Sequence, residues 1–400
     1  MKAKYCSSQT PQKILFALGL GTAFSLFGDT TMYAVLPTHT AEAGITLVMV
    51  GILLGVNRAV RLVFNGVAGW CYDRMSQRGL FLGGLTLGAV STACCAAAHE
   101  FWLLFVGRAL WGAAWSLIWI GGGVILLNLA ESAERGRWTG WYQTWFFFGA
   151  GSGAFLGGML TDLAGYHPTL WIISVTQAGS VAAVALFLPS IPPRKSLIKE
   201  YQSSQSSKTF FTYNFGLTVF LQGINRFCIS GMLAATLGLL VKERLASPQF
   251  VLGAGTITGL LIAGRTVLSM AIAPLAGYIS DRLNSRWYVL SFALIMGIAA
   301  MLLLASQIAI LIIMGFLCSA VITSSVQSLT ITLTGDLVED THRGKAVSIL
   351  HTVGDLGSAL GPPCAYTLLL YTGLAEVYLV CAFLFAVTFG LIVLKCQRKK

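Results

Sequence analysis

Gly69-Trp70-Cys71-Tyr72-Asp73-Arg74, with Arg78 four residues on, and Gly277-Tyr278-Ile279-Ser280-Asp281-Arg282, with Arg286 four residues on, carry one pattern at an offset of 208 residues. The same offset lays Gly136 on Gly344, Gly149 on Gly357 and Gly153 on Gly361. One offset that matches several separate regions marks an internal duplication, so each half of the chain should build the same unit. Parallel repeats of six membrane spans are a transporter architecture.

Around these stretches the chain is almost wholly apolar. Of its 400 residues 56% are hydrophobic and 10% charged, with a mean hydropathy of +0.76, where a soluble domain is about a quarter charged. That excludes an ordinary soluble enzyme. A span takes about 20 apolar residues, and hydropathy predicts twelve: 14–36, 45–67, 80–98, 101–127, 139–161, 169–189, 213–240, 249–274, 286–305, 308–334, 345–370 and 374–395. The predicted fold is all-α, with twelve transmembrane helices in two pseudo-symmetric six-helix bundles. Residues 1–189 and 213–400 form the bundles, and the polar stretch 190–212, with Arg194, Lys195, Lys199 and a Ser/Gln-rich run, forms a cytoplasmic linker. The apolar run from Ile14 to Pro37 is too long for a cleavable signal, so it is taken as the first span.

The net charge of +11 raises nucleic acid as a partner, and its placement argues against that. Of 26 basic residues, 19 fall in the tails and even-to-odd loops, 2 in the odd-to-even loops and 5 inside spans. By the positive-inside bias, both termini are cytoplasmic and the basic excess is topology. The nine cysteines show no CxxC and no metal-ligand spacing, and read as buried small hydrophobes. No metal or other cofactor is expected.

The loop after span 2, Gly69-x3-Asp73-Arg74-x3-Arg78, resembles motif A of the major facilitator superfamily, and Gly277 to Arg286 resembles its weaker second copy. Ser76 and Asn284 stand where a second Gly is usual, and Gln77 and Ser285 precede the final Arg. Gly69 and Gly277 would let helices approach closely, while Asp73, Arg74, Arg78, Asp281, Arg282 and Arg286 would form gating charge clusters; simple positive-inside loops are the alternative. Span 4, Leu104-x3-Arg108-x2-Trp111-Gly112-x-Ala114, is similar to motif B of proton-coupled antiporters, with Trp111 where Gln is common. Span 5 is similar to antiporter motif C, with Gly149, Gly153, Gly157 and Gly158 as a packing face and Ala154 in place of its Pro; Gly357, Gly361 and Pro362 stand at the equivalent place in span 11.

Seven charges lie inside the predicted spans: Asp29, Arg58, Arg61, Arg108, Arg226, Arg265 and Asp355. Such residues are expensive in lipid and are functional hypotheses by default. Asp29 and Arg108 lie at matching depth and are predicted to pair. The resemblance implies proton coupling there, with a static packing pair as the other reading. His351 and Asp355, four apart on span 11, share a face and could relay a proton, or His351 could be structural. Arg58, Arg226 and Arg265 could bind an anionic substrate through the guanidinium fork, or serve packing and gating. Tyr33, Trp111 and Trp115 would complete a pocket, although a stripe such as Trp111, Trp115, Trp119 is more often helix packing or lipid contact than a binding surface.

The expected function is therefore a secondary transporter working by alternating access in the cytoplasmic membrane. Proton-coupled efflux of a small organic molecule leads; a porter of a small anionic solute is the alternative. The expected partners are that solute, protons and the lipid bilayer, with no nucleic acid, and the chain is expected to act as a monomer. A membrane-embedded enzyme would need HExxH, GxSxG or a His/Asp metal cluster, and none is present.

Overall fold

The computed structural model describes residues 11–129, 135–189, 212–245, 253–283, 285–338 and 343–397; within these, the side chains of Pro11, Asp73, 127–137, Thr139, 343–345 and 396–397 lie outside the description. Twelve helices of membrane-spanning length follow in order. They are α1 (Pro11–Val35), α2 (Leu47–Arg74), α3 (Gln77–Ala97), α4 (Phe101–Leu129), α5 (Arg135–Ala164), α6 (Tyr166–Phe187), α7 (Tyr213–Arg244), α8 (Ala254–Arg282), α9 (Arg286–Leu304), α10 (Ala309–Leu337), α11 (Arg343–Leu369) and α12 (Leu374–Gln397). No strand occurs among the described residues. In hydrocarbon every backbone polar group must be satisfied internally, which leaves a chain of this composition only the helix.

Among the described residues ten helices are apolar enough, as well as long enough, to cross a membrane. The other two, α5 and α11, are 30 and 27 residues long. Their hydropathy is diluted by Gly, Trp, Tyr, His and Asp, because much of their surface meets other helices. Several helices outrun their predicted spans: α2 continues to Arg74 and α8 to Arg282, since hydropathy marks contact with lipid and the helix goes on past it. The predicted linker lies almost wholly outside the described residues.

The structure shows the two-bundle fold in its contacts. One apolar core joins α7 to α12, including Leu221, Ile229, Phe316, Val326 and Phe385. In the first half, Leu18, Phe81, Trp115, Ile118 and Tyr142 form another. Large apolar side chains such as Val63, Leu163, Val175 and Leu186 face outward and are exposed, as lipid-facing residues must be.

Equivalent helices pack alike in the two halves. Gly149, Gly153 and Gly157 of α5 lie on Ala23, Phe27 and Thr31 of α1, and Gly357 and Gly361 of α11 lie on Gly223 and Gly231 of α7. Absence of a Cβ brings backbone against backbone at both places. The halves then touch each other through the same two helices. Gly158 and Ala154 of α5 meet Gly255 and Gly259 of α8, while Gly51 and Gly55 of α2 meet Pro362, Pro363 and Ala359 of α11. Further along, Gly66, Gly69, Gly140 and Gly277 have nothing within 4 Å. The halves are thus closed at the end carrying the α1–α2 and α5–α6 turns and splayed at the end carrying the α2–α3 and α8–α9 turns.

Candidate substrate and coupling site

Where α1, α2 and α4 meet, the Arg108 guanidinium donates from Nη1 to Asp29 Oδ1 at 2.7 Å and from Nε to the Leu53 carbonyl at 3.2 Å. Asn57 of α2 donates to the same Asp29 oxygen at 3.1 Å. Arg108 is 2% exposed and Asp29 8%. The predicted contact is present, and Asn57, a residue the spacing of charges does not point to, completes it. Tyr33 donates to the Leu54 carbonyl at 3.0 Å, and its ring lies 5.6 Å from the Arg108 guanidinium and 5.9 Å from that of Arg58. A cleft of about 10 Å³ beside the pair, lined by Gly28, Met32, Ser91, Thr92 and Cys95, has room for about one water molecule.

A second cluster lies at the apex of the splayed wedge. Arg61 of α2 donates from one nitrogen, Nη2, to both oxygens of Asp355 on α11, at 3.2 and 3.3 Å, joining the two halves. This is a single nitrogen shared between two acceptors, weaker than a parallel two-nitrogen fork. Arg58 of α2 and Arg226 of α7 stand within electrostatic reach of Asp355 and of each other. Arg226 opens an eight-residue π-helical segment, Arg226–Leu233, a distortion frequent at functional sites. Three guanidinium groups therefore face Asp355, and Arg58 is within reach of Asp29 as well.

His351 and Asp355 share a face of α11, where a proton relay and a structural histidine are the two readings, and the carboxylate is bonded elsewhere. His351 is exposed on α11 with no hydrogen bond to Asp355, whose carboxylate instead crosses to the other half. The four-residue spacing put both on one face, but a full positive charge opposite outweighs a neutral imidazole alongside. Arg265 departs from expectation. It does not join Arg58 and Arg226: its guanidinium lies 5.2 Å from the Phe316 ring, its Nε and Nη1 are buried without a partner, and no acid is near it. The 208 offset explains the setting, since it lays Asn57 on Arg265, Arg108 on Phe316 and Asp29 on Leu237. The second half keeps the interhelical contact and lacks its acid.

Trp111 and Trp115 are 3% and 6% exposed. Along α4 the Trp111 and Trp115 rings lie 5.8 Å apart and the Trp115 and Trp119 rings stack at 5.4 Å, and Phe146 of α5 closes over Trp115 at 5.9 Å. The stripe is core packing of the first half, with Trp111 alone reaching the small cleft beside Asp29. Of the motif A residues, Gly69 and Gly277 meet no helix in this conformation, and the side chain of Asp73 lies outside the described residues. Arg74 stacks on Trp70 at 4.4 Å, Arg78 donates to the Ala185 carbonyl at 2.6 Å, and Arg286 binds Asp281 at 2.5 Å and Asp336 at 2.9 Å. Arg282 is exposed. These contacts stay within one half, so the clusters tie neighbouring helices together here and do not bridge the halves.

One contact between halves was invisible in sequence. Asp162, near the end of α5, accepts from the Gly255 and Thr256 amides at 3.2 and 2.6 Å and from the Thr256 hydroxyl at 2.6 Å, capping the start of α8.

This architecture of paired six-helix halves is matched at family level: the Major Facilitator Superfamily model covers residues 18–240 and 215–400. The chain belongs to the Major Facilitator Superfamily. It is 27% identical over 185 residues to the inner membrane transport protein YajR of Escherichia coli, covering 45% of this chain and 40% of that protein. It is 24% identical over 173 residues to citrate exporter 1 of Aspergillus niger, covering 43% of this chain and 33% of that one. The chain thus spans less than half the length of these relatives. Among solved structures, an inward-facing, occupied bacterial homologue of the human lysosomal transporter Spinster superposes with a TM-score of 0.78 at 14% identity, over 98% of both chains. That likeness speaks for the fold. Both relatives are named for transport.

Proposed function

We propose that this chain is a proton-coupled exporter of a small organic anion in the cytoplasmic membrane, working as a monomer by alternating access. The observation that carries the substrate class is unmet buried positive charge. Within the interior of the predicted spans five arginines face two carboxylates, Asp29 is taken up by Arg108 and Asn57, and among the described residues Arg265 has no acid beside it. A buried guanidinium is retained only where something pairs with it in the working cycle. The splayed wedge, with Arg58, Arg61 and Arg226 at its apex, is where a solute entering between the halves would meet that charge.

Proton coupling is assigned to Asp29. Its pair with Arg108 is closed within the first half, beside a cleft that admits water but no organic solute, so a proton could be taken up there independently of substrate. Efflux is supported by the likeness of span 5 to antiporter motif C and by a relative named as an exporter. The positive-inside bias of the loops supports a cytoplasmic splayed end and, with it, an inward-facing reading of this conformation.

Arg226→Gln and Arg58→Gln test the substrate class. Each should weaken binding of an anionic solute at least about tenfold while changing a neutral analogue little, since a bidentate ionic contact contributes about 1.5–3 kcal/mol. Equal losses for charged and neutral analogues would overturn the reading.

A further inference from the structure

We propose that Asp355 is a tethered counter-ion for the Arg58, Arg61 and Arg226 cluster, and that the cluster selects solutes carrying two negative charges. This rests on the anionic-solute reading above and sharpens it to a charge. The count is local. Three guanidinium charges against the Asp355 carboxylate leave an excess of two, because Asp29, the other acid within reach, already has its own arginine. Arg265 has no charged neighbour and stands outside the cluster. Tyr33 and His351 complete the polar surroundings, and neither is a carboxylate.

The geometry fits a contact made to be exchanged. Arg61 reaches Asp355 through one nitrogen at 3.2 and 3.3 Å, its Nε is unpartnered, and both residues remain partly accessible, at 15% and 12%. A two-oxygen anion arriving from the open end could engage Arg58, Arg226 and the free edge of Arg61 while Asp355 stays in place. When the site is empty, Asp355 still ties α2 to α11 across the halves and keeps part of the positive charge neutralised. The solute then supplies the two charges that this acid cannot.

Charge counting gives the test. The purified full-length chain in detergent is titrated calorimetrically with propionate, succinate and tricarballylate, which share a short alkyl frame and carry one, two and three charges at about pH 8. The unmodified protein should bind succinate tightest. Asp355→Asn raises the local excess to three and should move the succinate-to-tricarballylate ratio of dissociation constants at least about tenfold towards tricarballylate, the effect of one unit charge a few ångströms away at an effective dielectric near 20. Arg226→Gln lowers the excess to one and should move preference towards propionate, which keeps the test open if Asp355→Asn does not fold. An unchanged ratio in a folded variant, or propionate binding tightest to the unmodified protein, overturns the charge assignment and leaves the anionic reading standing. Binding of none of the three overturns the anionic reading and this one together.

Discussion

Replacing Asp162 by Ala should open the closed end of the molecule without touching the arginine sites. The first amides of a helix have no partner inside it, and at the start of α8 two of them, with the Thr256 hydroxyl, are satisfied by a carboxylate from α5 in the other half. A side-chain cap contributes about 0.5–2 kcal/mol, and a charged acceptor with short bonds belongs at the upper end of that range. Within one helix that energy would stabilise the helix. Here it exists only while the two halves touch, so it stabilises the closed arrangement. Losing about 1–2 kcal/mol should shift the closed-to-open ratio at this end roughly 5–30-fold. Spin labels at exposed Leu163 on α5 and Leu260 on α8, in a background freed of native cysteines, would read the distance across the contact by pulsed electron resonance. Asp162→Ala should populate a longer distance, with Asp162→Asn in between because it keeps an acceptor and loses the charge. Identical distance distributions in all three proteins would refute the argument that this cap acts as a latch.

Three further outcomes follow from the same geometry. Asp29→Asn should abolish accumulation driven by a pH gradient while leaving solute exchange at equal pH, and Asn57→Ala, which removes a hydrogen bond to the same carboxylate, should reduce gradient-driven flux about tenfold; vesicle flux assays check both. Gly158→Val, whose side chain would strike the Gly255 backbone, should retain binding and lose transport, whereas Gly140→Ala, facing open space, should change neither. Trp115→Ala should lower stability by about 3 kcal/mol, read as a fall in thermal midpoint, with solute selectivity unchanged, because the ring packs among Trp111, Trp119 and Phe146.

The duplicated loop at Gly69 and Gly277 carried most of the fold, because an offset shared by distant residues constrains topology as strongly as hydropathy does. The glycine rows of α5 and α11 were legible for the same reason, and the structure uses them at equivalent contacts. What a single chain could not show was partners across the molecule. Asp355 looked paired with His351 because helical spacing is visible in sequence, while Arg61, its partner, lies on α2 of the other half. Asp162 gave no signal in sequence because its partners are the backbone amides and a hydroxyl at the start of a distant helix, which leave no spacing to read. Gly69 shows a different gap: a small residue signals that close approach is possible in some state of the cycle, and in this state the approach is not made. For the tryptophan stripe, periodicity named the face and gave no way to tell a core from a cavity, since both want aromatic surface.

The central claim is that unmet guanidinium charge between the halves selects an anion and that the Asp29 pair couples its movement to protons. Flux through proteoliposomes with anionic, neutral and cationic organic solutes, with and without an imposed pH gradient, tests both parts at once. Anions should move preferentially, and only an imposed gradient should drive them uphill; selection of neutral or cationic solutes, or uphill transport indifferent to the gradient, would contradict the account.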